Sequence, residues 1–208
     1  MIAEIINTLR DRIADQQFIE QCYGLGMLYN GSSHKQPVVF DKDEPLHINF
    51  DNYNSLTFWL LNGPITQIQA DSDVSCGAWV QKRVPLKLIY FSAANNKKNC
   101  VPIDEDALAN IIAVLVFQDD RALREAFQLS GVSLYAVSQE FRREIVWTYL
   151  LGNLPFKMQE HQQLYAIDFE LTFEGNPACW ATPCAAVLLE TTHPPQTFVT
   201  EDDENLFM

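Results

Sequence analysis

Thiols, histidines and paired carboxylates are the residues in this chain whose types could do chemistry. Among the five cysteines and four histidines, Cys179, Cys184 and His193, with His161 as a distant fourth, form the one grouping that suggests zinc. The full set matches no ribbon or finger spacing, and two semi-buried thiols plus two surface histidines explain the same residues. Asp41, Asp43 and Glu44 lack the regular oxygen ladder and the glycine of a calcium loop and read as a turn cluster before Pro45. The pairs Glu140/Glu144 and Asp168/Glu170 could serve as general acid and base only if apolar surroundings raised one carboxyl, and the sequence pattern does not set either pair in such surroundings. Gly24-Leu25-Gly26 opens a dinucleotide fingerprint whose third glycine is replaced by Tyr29. No Gly-Lys-Ser/Thr phosphate loop or Gly-x-Ser-x-Gly elbow exists, and Ser32, Ser33 and His34 lie in a turn-like loop. The sequence therefore predicts no catalytic residue, no cofactor and no metal.

The elements that would position any site alternate between helical and strand periodicity. Ile2, Ile5, Ile6, Leu9 and Ile13 fall on one face of a helix, with Arg10, Asp11 and Arg12 turned away. Gly24 and Gly26 break this pattern, and Asn30-Gly31-Ser32-Ser33 reads as a turn or loop. Strands are predicted at Val38–Phe40, along Leu46, Ile48 and Phe50, at Leu56–Leu61, Ile65–Gln69 and Cys76–Gln81, and at Leu86–Ser92, whose apolar residues on both faces place it inside a sheet. After the loop Asn95–Asn99, Asp104 caps a helix whose apolar stripe is Ala107, Leu108, Ile111, Ile112, Leu115 and Val116. A second helix runs from about Asp119 to Ser130 and ends at Gly131. Val132–Ser138 reads as a strand, Phe141–Leu151 fits helix or strand equally, and Leu164–Phe173 alternates cleanly as a closing strand. Pro177, Pro183, Pro194 and Pro195 then punctuate a segment that continues neither a central strand nor a long helix. The expected fold is α+β, a mixed and mainly antiparallel sheet against an N-terminal helix and a central helical segment. Residues 1–175 form the domain and 176–208 an extended Pro-rich arm with an acidic tail.

A chain of 208 residues with 48% hydrophobic content buries a sizeable core without disulfides. The odd, irregularly spaced cysteines (Cys22, Cys76, Cys100, Cys179, Cys184) predict reduced thiols. The longest apolar run, Ile111–Phe117, is far below the ~20 residues of a membrane span. Met1-Ile2-Ala3-Glu4 lacks the order of a signal peptide, so the expected compartment is the cytoplasm or whatever assembles there.

The formal charge is −13, which repels phosphate and argues against tight nucleic-acid binding. It is unevenly placed. Between Val74 and Ile103 stand Lys82, Arg83, Lys87, Lys97 and Lys98 with no acid, either a solvated hairpin flank or a basic zone meeting an acidic neighbouring subunit. Asp168, Glu170 and Glu174 form a row on the outer face of Leu164–Phe173, either a solvated face or an acidic wall past which a polyanion slides. The tail couples Glu201-Asp202-Asp203-Glu204 to Leu206-Phe207-Met208, a disordered terminus by default and a docking peptide in the sharper reading.

From Met1 to Gly175 this order of elements, an amphipathic helix, a β-rich section ending in a buried strand at Leu86–Phe91, a helical segment and closing strands such as Leu164–Phe173, resembles the tail terminator and tail-completion proteins of long-tailed bacteriophages and the related neck ring proteins. The Pro-rich arm departs from the usual member. The resemblance implies a virion protein assembled in the bacterial cytoplasm, closing with copies of itself into a hexameric or dodecameric ring. DNA would pass through without sequence-specific binding, adjacent neck or tail proteins would dock on the ring, and no chemistry would be performed. In that reading Lys82, Arg83, Lys87, Leu206, Phe207 and Met208 are subunit contacts, and Asp168, Glu170 and Glu174 face the channel. Two alternatives stand beside it: a small intracellular enzyme with a dispersed site, and an acidic phage-encoded host-interaction protein.

Overall fold

The first fourteen residues set the orientation of everything that follows. Helix α1 (Ile2–Ala14) buries Ile5, Ile6, Leu9 and Ile13, four side chains on one face, against a sheet. A computed structural model describes residues 1–16, 19–31, 34–41, 44–69, 80–93, 111–113, 115–116, 120–159 and 162–176. Its strands are β1 (Gln21–Asn30), β2 (Lys35–Asp41), β3 (Glu44–His47), β4 (Ser55–Leu61), β5 (Thr66–Gln69), β6 (Val80–Ala93), β7 (Leu129–Glu140) and β8 (Gln162–Gly175). The helices after α1 are α2 (Arg121–Phe127), α3 (Arg143–Leu151) and a helical stretch including Ile111–Ala113 and Leu115.

All eight strands belong to one sheet, in the order β3-β2-β1-β4-β6-β8-β7, with β5 also on β6. Every pairing is antiparallel except β1 with β4. The fold is α+β. A parallel pair needs a crossover, supplied here by the β2–β3 excursion and a short 3-10 turn at Phe50–Asn52 that brings the chain back to β4. That turn seats Phe50 against Phe91 and Trp147, with ring centroids 5.0 and 6.3 Å apart.

The two faces of the sheet carry separate cores. On one, α1, α2 and the stretch with Ile111 and Leu115 cover Trp59, Leu86, Leu88, Ile167, Phe169 and Leu171. On the other, α3 and the Phe50 turn cover Phe58, Leu60, Ile89, Phe91 and Leu164. Strand β6 contributes to both cores, because it lies between β4 and β8 with apolar side chains on each face. Asp120 ties two helices together. It caps α2 by accepting from Leu123 N at 3.0 Å and pairs with Arg12 of α1, a contact that the outward-facing reading of Arg12 did not include. Burial lowers the Arg12 pKa.

Several sequence expectations change for identifiable reasons. Gln21–Asn30 is a strand despite Gly24 and Gly26. Gly24 sits in a bulge where the β1–β4 register shifts, and a Cβ there would meet Asn7 Oδ1 at 2.4 Å; at Gly26 it would meet Val38 O at 2.6 Å. The two glycines are there for close approach, not to end an element. The strand along Leu46, Ile48 and Phe50 stops at His47, because Asn49 accepts from Asp51 N at 3.2 Å and starts the turn. Val80 and Gln81, the described end of the strand expected at Cys76–Gln81, join the strand expected at Leu86–Ser92 in a single strand, β6, and residues 76–79 lie outside the described residues. Helix α2 ends at Gln128, which takes the left-handed conformation at φ 53°. Gly131 instead lies inside β7, under the Glu174 side chain. Phe141–Leu151 resolves as helix α3 from Arg143, and β8 is interior, with β7 outside it. Asn95–Asn99, Asp104, Ala107, Leu108, and the arm from Pro177 on lie outside the described residues.

Pro85 explains the break between β4 and β5. Both run antiparallel to β6 along the same side of it, Leu61 opposite Leu86 and Thr66 opposite Arg83. Between them Asn62–Ile65 swings out, Asn62 N donating to Pro85 O at 2.9 Å. In an antiparallel ladder a residue's N–H and C=O point to the same neighbour, so the donor that proline lacks falls at this gap. Gly63, at φ 150°, makes the turn beside the Pro85 ring.

Candidate functional site

The sheet face that α3 leaves uncovered carries the charges singled out from the sequence. Alternation along β8 puts Asp168, Glu170 and Glu174 on it, and the register sets Lys87 opposite Asp168 and Arg83 opposite Thr172, diagonally between Glu170 and Glu174. Lys82 is opposite Phe173 and so lies on the other face, where burial lowers its pKa. The basic residues therefore do not form one patch. Arg83 and Lys87 are interleaved with the acidic row, and Lys82 is apart from it.

Asp168 is the centre of a clasp across three strands and the turn that follows β4. It pairs with Lys87 of β6, accepts from Asn62 Nδ2 at 3.0 Å and accepts from Ser138 Oγ at 2.7 Å. Asn62 stands where β4 gives way to the β5 connection, and Ser138 follows the β7 bulge between Ala136 and Ser138. One carboxylate thus fills the gaps that two irregular strands leave in the ladder. Lys87 Nζ also lies 5.1 Å from the centre of the Tyr149 ring. Burial, and secondarily Asp168, pushes the Tyr149 hydroxyl pKa up. Held by three donors, Asp168 is a stitch between strands. Glu170, two residues along, has Pro85 and Tyr135 as its neighbours across the ladder.

Glu140 and Glu144 each meet a different arginine. Arg142 grips Glu140 through its side chain and then its backbone N–H, holding that carboxyl down at about 2, while Glu144 lies 3.7 Å from Arg143. Cys22 is a free thiol, 2.9 Å from Thr57 Oγ1, and burial raises its pKa. Among the described residues no three of His, Cys, Asp and Glu converge as a metal site requires. No helix among them is long and apolar enough to cross a membrane. Cys179, Cys184, His161, His193, Leu206, Phe207 and Met208 lie outside the described residues.

The sequence did not reveal a groove of about 390 Å³ beside α3. Phe50, Trp147, Leu151, Leu154 and Met158 line it, and His34, Asp51 and Lys157 supply its charged or ionisable groups. Helix α3 ends at Gly152, φ 68°, and the irregular run that follows is tied down by polar contacts. Trp147 Nε1 donates to Leu154 O at 3.4 Å, and Arg143 Nη1 donates to Gln159 O and Gln162 O, both at 3.0 Å. Phe156 packs edge-on against Trp147 at 5.7 Å, with the Arg143 guanidinium 5.5 Å from its ring centre. The available signal was the spacing Trp147, Leu151, Leu154, Met158, which carries the apolar side of α3 beyond the helix end. It is invisible while Phe141–Leu151 is undecided between helix and strand.

No protein-family model matches the chain, and no curated protein is similar to it.

Proposed function

We propose that this chain is a structural subunit of a ring at the head–tail neck or tail end of a long-tailed bacteriophage, tail-terminator-like, and that it performs no chemistry. The observation that carries the reading is the side of β7 away from β8, which pairs with no other strand among the described residues. This strand of twelve residues closes one edge of the sheet, and its second half leaves Tyr135 and Val137 50% and 67% exposed. A long edge with exposed apolar side chains offers backbone and side-chain contacts to another chain. The opposite edge is different, since β3 is only four residues and contains Pro45. Two unlike edges favour head-to-tail contacts between copies, which close into rings when the rotation per subunit divides a full turn.

In this reading the mixed face of Arg83, Glu170 and Glu174 sets the register between copies, and the overall charge of −13 lets DNA pass without binding. The subunit would be a virion component assembled in the bacterial cytoplasm, with adjacent neck or tail proteins as its further partners. Native mass tests it. The expected result is a discrete closed species, a hexamer or dodecamer of the 23.8 kDa chain. A monomer at every concentration would overturn the ring and favour the small enzyme or the host-interaction protein.

A further inference from the structure

We propose that the groove beside α3 receives the C-terminal segment Glu201–Met208 of a neighbouring copy, an inference that rests on the ring reading and names one of its contacts. Charge and chemistry match. The groove has an apolar floor of Phe50, Trp147, Leu151 and Leu154, which suits Leu206-Phe207-Met208. Lys157 lines it with one acid, Asp51. Lys35 stands between the lining residues His34 and Gln36 in sequence, and Arg143, 3.7 Å from Glu144, donates to the carbonyl of the lining residue Gln162. This near-neutral margin is far less acidic than a chain of net charge −13 as a whole, and Lys35 and Lys157 can meet the run Glu201-Asp202-Asp203-Glu204 directly before the apolar residues.

The ring reading selects a neighbouring copy as the donor. Gln162, the first residue of β8, lines the groove, whereas the chain leaves the sheet after Gly175, the last residue of β8. Fourteen residues at ~3.3 Å each separate the two ends by about 45 Å. The 32 residues after Asn176 extend to at most about 110 Å, a reach that takes in the groove of a neighbour as well as that of the same chain. A donor at one end of the subunit and a receptor at the other is the layout that head-to-tail contact requires.

Cross-linking in the full-length chain tests this. Copies carrying a photoreactive benzoylphenylalanine in place of Leu154, which is 37% exposed, are mixed with isotope-labelled copies lacking it and irradiated. The same is done with the probe at the exposed Lys157, so that one misfolded variant does not decide the matter. The expected product joins the groove to residues 197–208 of an opposite-label chain. In unlabelled full-length protein, Lys157→Glu should weaken association roughly three- to tenfold, while Lys157→Arg leaves it unchanged. Cross-links confined to one label class, or to sites outside the tail, would overturn the inference; a discrete ring in the same sample would leave the ring reading standing. A monomer throughout would overturn both.

Discussion

Replacing Asp168 by alanine removes the acceptor from three donors at once, the Lys87 ammonium, Asn62 Nδ2 and Ser138 Oγ. A hydrogen bond to a charged group contributes about 1.5–3 kcal/mol, and a solvated ion pair about 0.2–1. The Lys87 and Asp168 side chains are 12% and 26% exposed, so their pair falls between the surface and buried limits. Asn62 and Ser138 are exposed and recover water. The expected loss for Asp168→Ala is therefore about 2–3 kcal/mol, which at roughly 2–4 °C per kcal/mol for a chain of this size lowers Tm by about 4–12 °C. Asp168→Asn keeps an acceptor but leaves the lysine charge unpaired, and should lie between wild type and alanine. Urea denaturation of Asp168→Ala, Lys87→Met and the double variant should give a coupling of about 1–2 kcal/mol. The clasp has no stabilising role if Asp168→Ala stays within about 0.5 kcal/mol of wild type and the coupling vanishes.

Four further outcomes are expected. Gly26→Ala should cost about 1–3 kcal/mol, because its Cβ meets the Val38 carbonyl, and Gly24→Ala should cost less, because the Asn7 side chain can turn away; equal melting temperatures would contradict this. Leu115→Ala, at a buried position, should lose about 2–5 kcal/mol in a denaturant titration, and Ile112→Ala, only half-buried, distinctly less. The Cys22 thiol and Tyr149 hydroxyl both have raised pKa values in the folded chain. Their neutral forms are favoured on folding, so stability is fully present below the ordinary thiol pKa of 9.0 and declines as pH rises through the folded values; Cys22→Ala should flatten the first part of that decline in pH-dependent unfolding. Finally, Arg83→Glu should weaken assembly in the way added salt does without changing the monomer's melting, as read by light scattering; Lys87 is unsuitable for that experiment because its partner is Asp168 in the same chain.

What the sequence disclosed follows from which signals are local. Ile5, Ile6, Leu9 and Ile13 declared a helix because one face repeats every turn. Tyr165 to Phe173 declared a strand because alternation needs no partner to be seen. The Leu86–Phe91 segment was recognised as interior because both of its faces are apolar. The clasp was not legible, since Lys87, Ser138 and Asp168 come from three strands and Asn62 from the turn after β4, and they meet only through register. Gly24 and Gly26 misled because a glycine chosen for close approach has the same letter as one that ends an element. Gln128 misled in the opposite sense, taking a left-handed cap where Gly131 was available. The groove depends on residues 34–51 meeting residues 147–162, a long-range closure that periodicity does not encode.

The gap opposite Pro85 also divides the sheet by lability. Among the described residues strand β5 pairs only with β6, at four register positions, its described side chains Thr66, Gln67 and Ile68 are exposed, and the Asn62–Ile65 turn uncouples it from the buried β4. It can therefore open without unzipping the β4–β6–β8 centre, as a small cooperative unit of low local stability. Amide protons of β5 should exchange with solvent orders of magnitude faster than those of Phe58, Leu88 or Ile167. The same opening would bare the β6 segment Val80–Arg83 on its β5 side, a transient further edge that a passing strand could capture before β5 re-forms.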